Sequence, residues 1–459
     1  MGRSSLRQLL RRNSKLGLAL ALLLAGSMWF YVQRVFIRYQ QADAAAHDRP
    51  RGSFSDLYPR WLGARELLLR HRDPYSQELT REIQIGYYGR PLDANRPGDP
   101  KDQAAFAYPV FVVFLLAPTI TLPFSIVQTG FRWFLIILTA ASVPLWLRAL
   151  RWRTSLAVTA TLVILALGNF PVAQGIKLQQ LTLLVSGMIA GCALLLVGDH
   201  LLVAGILLAL ASIKPQITWL LTAWLLLWAV SKYHDRRRFI WGFGFSMAAL
   251  LAAAEYVMPG WIVEFARAIV AYREYLNHPQ SLLFVLTTPG WGLLLSAAIL
   301  ITVVVVCWRT RQTPADTAVF GFVSALVLAV TVVTIPMTAL YNQLLLLPAV
   351  LLILRYGGHL WAKHPLMRIV CLISGFLIFW PWVVVLGLTV ASFFLSVQRV
   401  QSAWAVPLWT SLAMPVAVLI LLASMVNDFN ESGIADSSHS ASHSSGSQTG
   451  KLAFSRRKG

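Results

Sequence analysis

Asp56 lies within Phe54-Ser55-Asp56-Leu57-Tyr58, shortly after the first long apolar run of the chain. A carboxylate there can reach a bilayer boundary and stay wet enough to ionise, as a general base must. The other reading is a cap for a helix that starts at residue 57. Geometry separates the two, because a capping side chain turns back to backbone N–H groups of its own helix. Lys214-Pro215-Gln216 interrupts two strongly apolar runs. A lysine at the centre of a membrane helix costs about 2.5–3.5 kcal/mol, so it is either kept for a purpose or snorkels from a boundary. Lys177-Leu178-Gln179-Gln180 and Tyr341-Asn342-Gln343 share the predicted side of Lys214, as does Asn277-His278-Pro279-Gln280-Ser281. Their amides either bond between helices or converge, with the ammonium groups, on a sugar hydroxyl or a phosphate. A charge-assisted hydrogen bond to phosphate is worth about 1.5–3 kcal/mol. Phe106-Ala107-Tyr108-Pro109 opens the next apolar run and reads as an aromatic belt with a tolerated early proline. Asp73-Pro74-Tyr75 reads as a helix stop followed by a turn.

Other chemistries lack their residues. There is no phosphate-binding Gly-rich loop, no dinucleotide fingerprint and no Cys/His spacing for a metal. His439 and His443 are four apart, but in a Ser/His/Gly-rich tail. Glu255 is the only acid deep in an apolar run, so a proton relay has no ladder of acids to use. Cys192, Cys307 and Cys371 all fall in apolar runs and imply no disulfide framework.

The elements that must position these groups are membrane helices. Of 459 residues, 57% are hydrophobic and only 13% charged, about half the charge of a soluble domain. Mean hydropathy is +0.63. The net charge of +20 sits between apolar runs, where it orients helices and calls for no nucleic-acid partner. Apolar runs lie near 16–36, 106–124, 130–148, 155–171, 178–197, 200–213, 216–231, 239–258, 290–308, 317–335, 340–355, 369–390 and 404–425. The fold predicted is an all-α polytopic membrane protein with about twelve, or thirteen, transmembrane helices. Twelve follows if 106–124, broken by Pro109, Pro118 and Pro123, does not fully cross. Basic clusters at Arg148/Arg151/Arg153, Lys232/Arg236/Arg237/Arg238, Arg309/Arg311 and Arg355/Lys363/Arg368 are then cytoplasmic. The predicted layout is a basic cytoplasmic N-terminus (1–15), a first helix (16–36), an extracytoplasmic loop (37–105), a membrane domain (106–426) and a disordered cytoplasmic tail (427–459). The loop 37–105 carries over half of the 19 acidic residues. Residues 56–70 repeat Leu57, Trp61, Ala64, Leu67 and Leu68 at helical spacing, and 91–102 is irregular. A second extracytoplasmic loop, 259–289, carries an amphipathic stripe (Trp261, Phe265, Ile269, Tyr272, Leu276) suited to a membrane interface.

Taken in order, Ser55-Asp56-Leu57-Tyr58, Asp73-Pro74-Tyr75, Phe106-Ala107-Tyr108-Pro109, Gln180, Lys214-Pro215-Gln216 and Gln280-Ser281 resemble the pattern of glycosyltransferase family 87. The resemblance covers about 50–350. Gln179 stands where that pattern has Gly, Leu57 where it has Phe, and Leu340-Tyr341-Asn342 where many members have Trp-x-His. The resemblance implies a C-type membrane glycosyltransferase arrangement with a catalytic first extracytoplasmic loop. It implies a hexosyltransferase of the cell membrane that needs no cofactor. The sugar, mannose-like, would pass from a polyprenyl-phosphate donor to a glycan or glycolipid acceptor with inversion. Asp56 would be the base, and Lys214, Gln216, Gln180, Lys177, Tyr108, Gln280 and Asn342 would bind substrate. The rival from another class is a transporter or flippase of a lipid-linked saccharide, which would not need Asp56; a third reading is a non-catalytic member. Transporters often carry inverted repeats, and the chain shows none.

Overall fold

The computed structural model describes residues 14–46, 55–275, 280–336 and 338–429, apart from 94, 97, 101 and 427. Most of the basic N-terminal segment, the tail from 430 onward and Asn277-His278-Pro279 lie outside the described residues. All regular elements among the described residues are helical. The first helix is Leu/Ala-rich and continues past the predicted end of its apolar run, through a π-turn at Val32–Phe36, to Ala46. Tyr31, Val32, Val35 and Phe36 are buried there against Phe170 and Trp404.

The expected number of crossings is corrected. Among the described residues, seven helices are long and apolar enough to span a membrane, or eight if the bent pair Leu156–Leu167 and Phe170–Leu178 counts as one. Several apolar runs instead form the shorter helices Leu181–Val197, Leu201–Ala211, Pro215–Ser231 and Ala318–Thr334. At 17 residues the longest of these rises about 26 Å, less than the ~30 Å of a hydrocarbon core. Hydropathy sums cannot see the interruptions that decide this, and two of them are Gln180 and Lys214. Across 106–124 the only α-helix is Val112–Leu116, followed by a 3-10 turn at Ala117–Thr119. Pro118 and Pro123 supply no N–H to continue it.

The acidic loop folds into two helices. In Leu57–Arg70 the stripe Leu57, Trp61, Ala64 and Leu67 is buried, as its spacing requires. His71 closes it in the left-handed region, φ 53°. The backbone N–H of Tyr75 then donates to Asp73 Oδ1 at 2.8 Å, an Asx turn. The second helix, Gln77–Tyr88, was not foreseen. Ser76 caps it by accepting from the N–H of Leu79 at 3.2 Å, and Leu79 and Ile83 anchor it. The two are tied together by Arg72, which donates to buried Glu66 at 2.9 Å and to Glu82 at 2.7 Å. The amphipathic helix Trp261–Tyr275 rests on residues of the loop as well as presenting an exposed face. Trp261 meets Phe111, Phe265 meets Tyr75, and Tyr272 and Tyr275 donate to Asp102 Oδ1 at 3.3 Å and Pro100 O at 2.9 Å.

The tightest helix crossing, Leu201–Ala211 against Tyr233–Val257, depends on two glycines. A Cβ on Gly205 would lie 2.3 Å from Phe239 O, and one on Gly242 would lie 2.2 Å from Leu202 O. Backbone has no rotamer with which to move aside, so Gly205→Val should force the helices apart and destabilise by about 1–3 kcal/mol. The expected outcome is a lower thermal midpoint of the detergent-purified protein. An unchanged midpoint would refute the packing.

Candidate functional site

Asp56 is the residue before the helix Leu57–Arg70, yet its carboxylate makes no capping bond. The capping alternative is thereby excluded by geometry. The segment is docked on the turn 178–180 instead. The N–H of Asp56 donates to Leu178 O at 3.0 Å, satisfying one of the orphan carbonyls at a helix C-terminus. The Ser55 hydroxyl donates to Gln179 Oε1, and Arg60 donates back to the main-chain oxygen of Asp56. The carboxylate is left facing outward from its own helix. Its Oδ1 accepts from the Tyr87 hydroxyl at 3.2 Å, and its Oδ2 accepts from the Gln180 amide nitrogen.

Gln180 reaches that position because of the turn before it. The helix Phe170–Leu178 ends in a Schellman turn. The N–H of Gln179 donates to Ile176 O at 3.2 Å and the N–H of Gln180 to Gly175 O at 2.9 Å, with Gln179 left-handed at φ 54°. That conformation explains why glycine would suit position 179. A side chain there costs about 1–2 kcal/mol, and Gln179 offsets this with bonds from Ser55 and to Gln128 O. Gln180 then precedes the helix Leu181–Val197 without capping it, so its amide is free to turn toward Asp56.

Lys214 is fixed by its proline. Pro215 occupies the first turn of Pro215–Ser231 and forces Lys214 out of the helical region, to φ −126° and ψ 74°. Lys214 is buried, 4% exposed. It donates to Thr182 Oγ1 at 2.5 Å and Gln180 Oε1 at 3.4 Å, and lies 4.9 Å from the Tyr341 ring centroid. The Thr182 hydroxyl in turn donates a hydrogen bond to Asn342 Oδ1 at 3.0 Å. The orientation of the Gln180 amide follows from charge, since its NH₂ must face the carboxylate and its oxygen the ammonium. A single amide therefore joins a carboxylate and an ammonium that are far apart in sequence.

Asp56, Arg60, Tyr87, Tyr272 and Tyr341 each keep some exposed surface, whereas Gln180, Thr182, Lys214 and Asn342 are buried. The partly exposed groups thus sit beside a set of buried polar ones. Burial pushes the Asp56 carboxyl above the usual carboxylate range and Asp102 adds to this, while Arg60 and the bonds from Tyr87 and Gln180 oppose it. Burial and the charge of Asp56 hold the Tyr87 phenol well above its usual value, so it stays a donor. Arg60 stands over the Tyr108 ring at 4.8 Å, bringing Tyr108 to the same wall. Among the described residues no three His, Cys, Asp or Glu side chains gather to hold a metal.

Three expected residues lie elsewhere. The Lys177 ammonium is 3.2 Å from Gln40 Oε1 and 5.1 Å from the Phe36 ring, against the first helix. Gln216 and Gln280 have exposed side chains, and the Gln280 main-chain oxygen accepts from Thr338 at 3.0 Å. Sequence reading missed Tyr87, Thr182 and Asp102. Thr182 had a signal, two residues past Gln180 in an otherwise apolar helix; Tyr87 had none, because its helix went unrecognised.

The model of glycosyltransferase family 87 matches residues 106–336, half of the chain. The match includes Tyr108, Gln180, Thr182 and Lys214, while Asp56 and Tyr87 precede it and Tyr341 and Asn342 follow it. No curated protein and no solved structure matches the chain.

Removing one of two opposite charges in a poorly solvated site leaves the other uncompensated, and removing the bridge leaves both under-satisfied. Asp56→Asn and Lys214→Met should therefore both melt below the parent temperature, and Gln180→Leu should lose about 1–3 kcal/mol. Thermal unfolding in detergent ranks the three; Gln180→Leu as the most stable would contradict the bridge.

Proposed function

The chain belongs to glycosyltransferase family 87 and is a membrane protein with several apolar helices; from that premise we propose that it transfers a hexose, mannose-like, from a polyprenyl-phosphate donor to an extracytoplasmic glycan or glycolipid. The observation that supports this most directly is the Gln180 amide held between the Asp56 carboxylate and the Lys214 ammonium. A transfer of this kind needs a base on one side of the anomeric carbon and a cation on the other.

The acceptor hydroxyl oxygen attacks C1 from the face opposite the phosphate and forms the new glycosidic bond. Its proton passes to Asp56. The bond from C1 to the phosphate oxygen breaks, and its electron pair leaves on the polyprenyl phosphate. The anomeric centre is inverted. Negative charge grows on the leaving phosphate, and Lys214 is the cation placed to stabilise it. Thr182 and Asn342 hold that ammonium in place, and Tyr87 fixes the carboxylate while leaving other lone pairs for the acceptor. The raised Asp56 pKa makes it a stronger base than an exposed aspartate. Lys177, Gln216 and Gln280 take no part in this step. Both termini are cytoplasmic in this reading, and the site opens on the other side of the cell membrane.

Membranes carrying the protein and supplied with a synthetic polyprenyl-phosphate mannose should transfer sugar. Asp56→Asn should lower kcat about 10²–10⁴-fold and Lys214→Met about 10²–10³-fold. An Asp56→Asn enzyme with near-normal turnover would eliminate the base assignment. The pH profile supplies a second check. Because the folded pKa of Asp56 is raised, kcat/KM should fall as pH drops through a value above the ordinary carboxylate range. An acid limb at or below that range would argue against Asp56.

A further inference from the structure

A cavity of ≈ 310 Å³ lies between the helix Gln77–Tyr88, the helix Trp261–Tyr275 and the chain at 103–106. Its volume is at the lower end for a small-ligand pocket. The polar side of the lining comes from Gln77, Thr80, Arg81 and Gln84, and the flat side from Tyr75 and Phe106. Gln84 is committed to the wall: its amide donates to Gln103 O at 3.1 Å and accepts from the N–H of Leu92 at 3.0 Å. The side chains of Gln77, Thr80 and Arg81 make no hydrogen bond or ion pair with another described residue. The lining includes no acid. An amide, a hydroxyl and a guanidinium facing an aromatic surface are groups that take a ring with several hydroxyls on its edges and C–H groups on its face.

This cavity and the candidate site share the helix Gln77–Tyr88. Thr80, Gln84 and Tyr87 follow one another at i, i+4 and i+7, so they share one helix face. Tyr87, at the far end of that face, donates to Asp56. Seven residues of helix cover about 10 Å, more than one sugar ring. Tyr75 forms the shared wall, since its ring meets Phe106 at 5.4 Å and its hydroxyl donates to Tyr108 O at 2.6 Å.

We propose that this cavity binds a neutral saccharide unit of the acceptor, a residue or more away from the hydroxyl that reacts, with Arg81, Gln77 and Thr80 as its polar contacts. The inference rests on the transferase reading. It makes the protein a chain-extending enzyme that measures its acceptor along the helix Gln77–Tyr88, and makes Arg81 a specificity-determining residue.

The test compares octyl α-mannoside with octyl α-mannotrioside as acceptors, using the parent, Arg81→Ala and Gln77→Ala/Arg81→Ala. Both positions are exposed, so the thermal midpoint should stay put and certifies the fold. The parent should prefer the trioside. The variants should raise KM for the trioside about tenfold, with little change in kcat, and should leave the monosaccharide acceptor and the donor KM within twofold. Equal losses on both acceptors, or none on the trioside, would overturn the proposal. Saturation-transfer NMR of free mannotriose needs no turnover and separates the two readings. If no sugar is transferred but mannotriose binds the parent and not the variants, the cavity assignment stands and the transferase reading falls. If binding is absent or insensitive to Arg81, the cavity assignment falls by itself.

Discussion

Gln180 satisfies two opposite charges with the two ends of one amide. A direct contact between Asp56 and Lys214 would tie up a carboxylate lone pair and an ammonium N–H in an ion pair. An amide between them gives each group a hydrogen-bond partner in a poorly solvated setting and separates the two by its own length. The other local structure converges on fixing that amide. The left-handed Gln179 turns the chain, Ser55 and Asp56 dock on the turn, and Pro215 delivers the lysine from the opposite direction.

The same constraint explains the helices that are too short to cross. A continuous helix through residues 178–197 or 201–231 would carry Gln180 or Lys214 around its circumference and point it wherever the 3.6-residue repeat falls. Breaking the helix exposes the side chain at a terminus, in non-helical backbone, where direction is set by the turn and not by periodicity. Irregular backbone at membrane depth is tolerated where it is buried in protein or lines a cavity, and Gln179, Gln180 and Lys214 are all buried.

The acidic loop contributes rigidity. Glu66 is buried and accepts from Arg70 and Arg72, and Arg72 also spans to Glu82. These bonds register the helix that starts after Asp56 against the helix that carries Tyr87. The aromatic residues of Trp261–Tyr275 close the far side of the loop on Tyr75 and Phe111. A segment of this length could not hold the Asp56 carboxylate on Tyr87 and Gln180 without its own packed helices.

The sequence by itself determined that the chain is helical and membrane-embedded, because the scarcity of charge and the length of the apolar runs leave no other class. It also drew attention to polar groups beside apolar runs, Asp56, Gln180, Lys214 and Asn342 together with Lys177, Gln216 and Gln280, without ranking them. The helix Leu57–Arg70 was legible from its stripe. The helix Gln77–Tyr88 was not, because its buried face is only Leu79, Thr80, Ile83 and Gln84, and half of that is polar. Hydropathy could not fix the number of crossings, because it sums residues without seeing where hydrogen bonding turns the backbone. Only the tertiary structure decided that Asp56 and Lys214 share one amide while Lys177 sits against Gln40 and Gln216 and Gln280 are exposed. The reason is that a side chain's direction at a helix end depends on long-range docking, such as Asp56 on Leu178, and no local pattern in the chain encodes that contact.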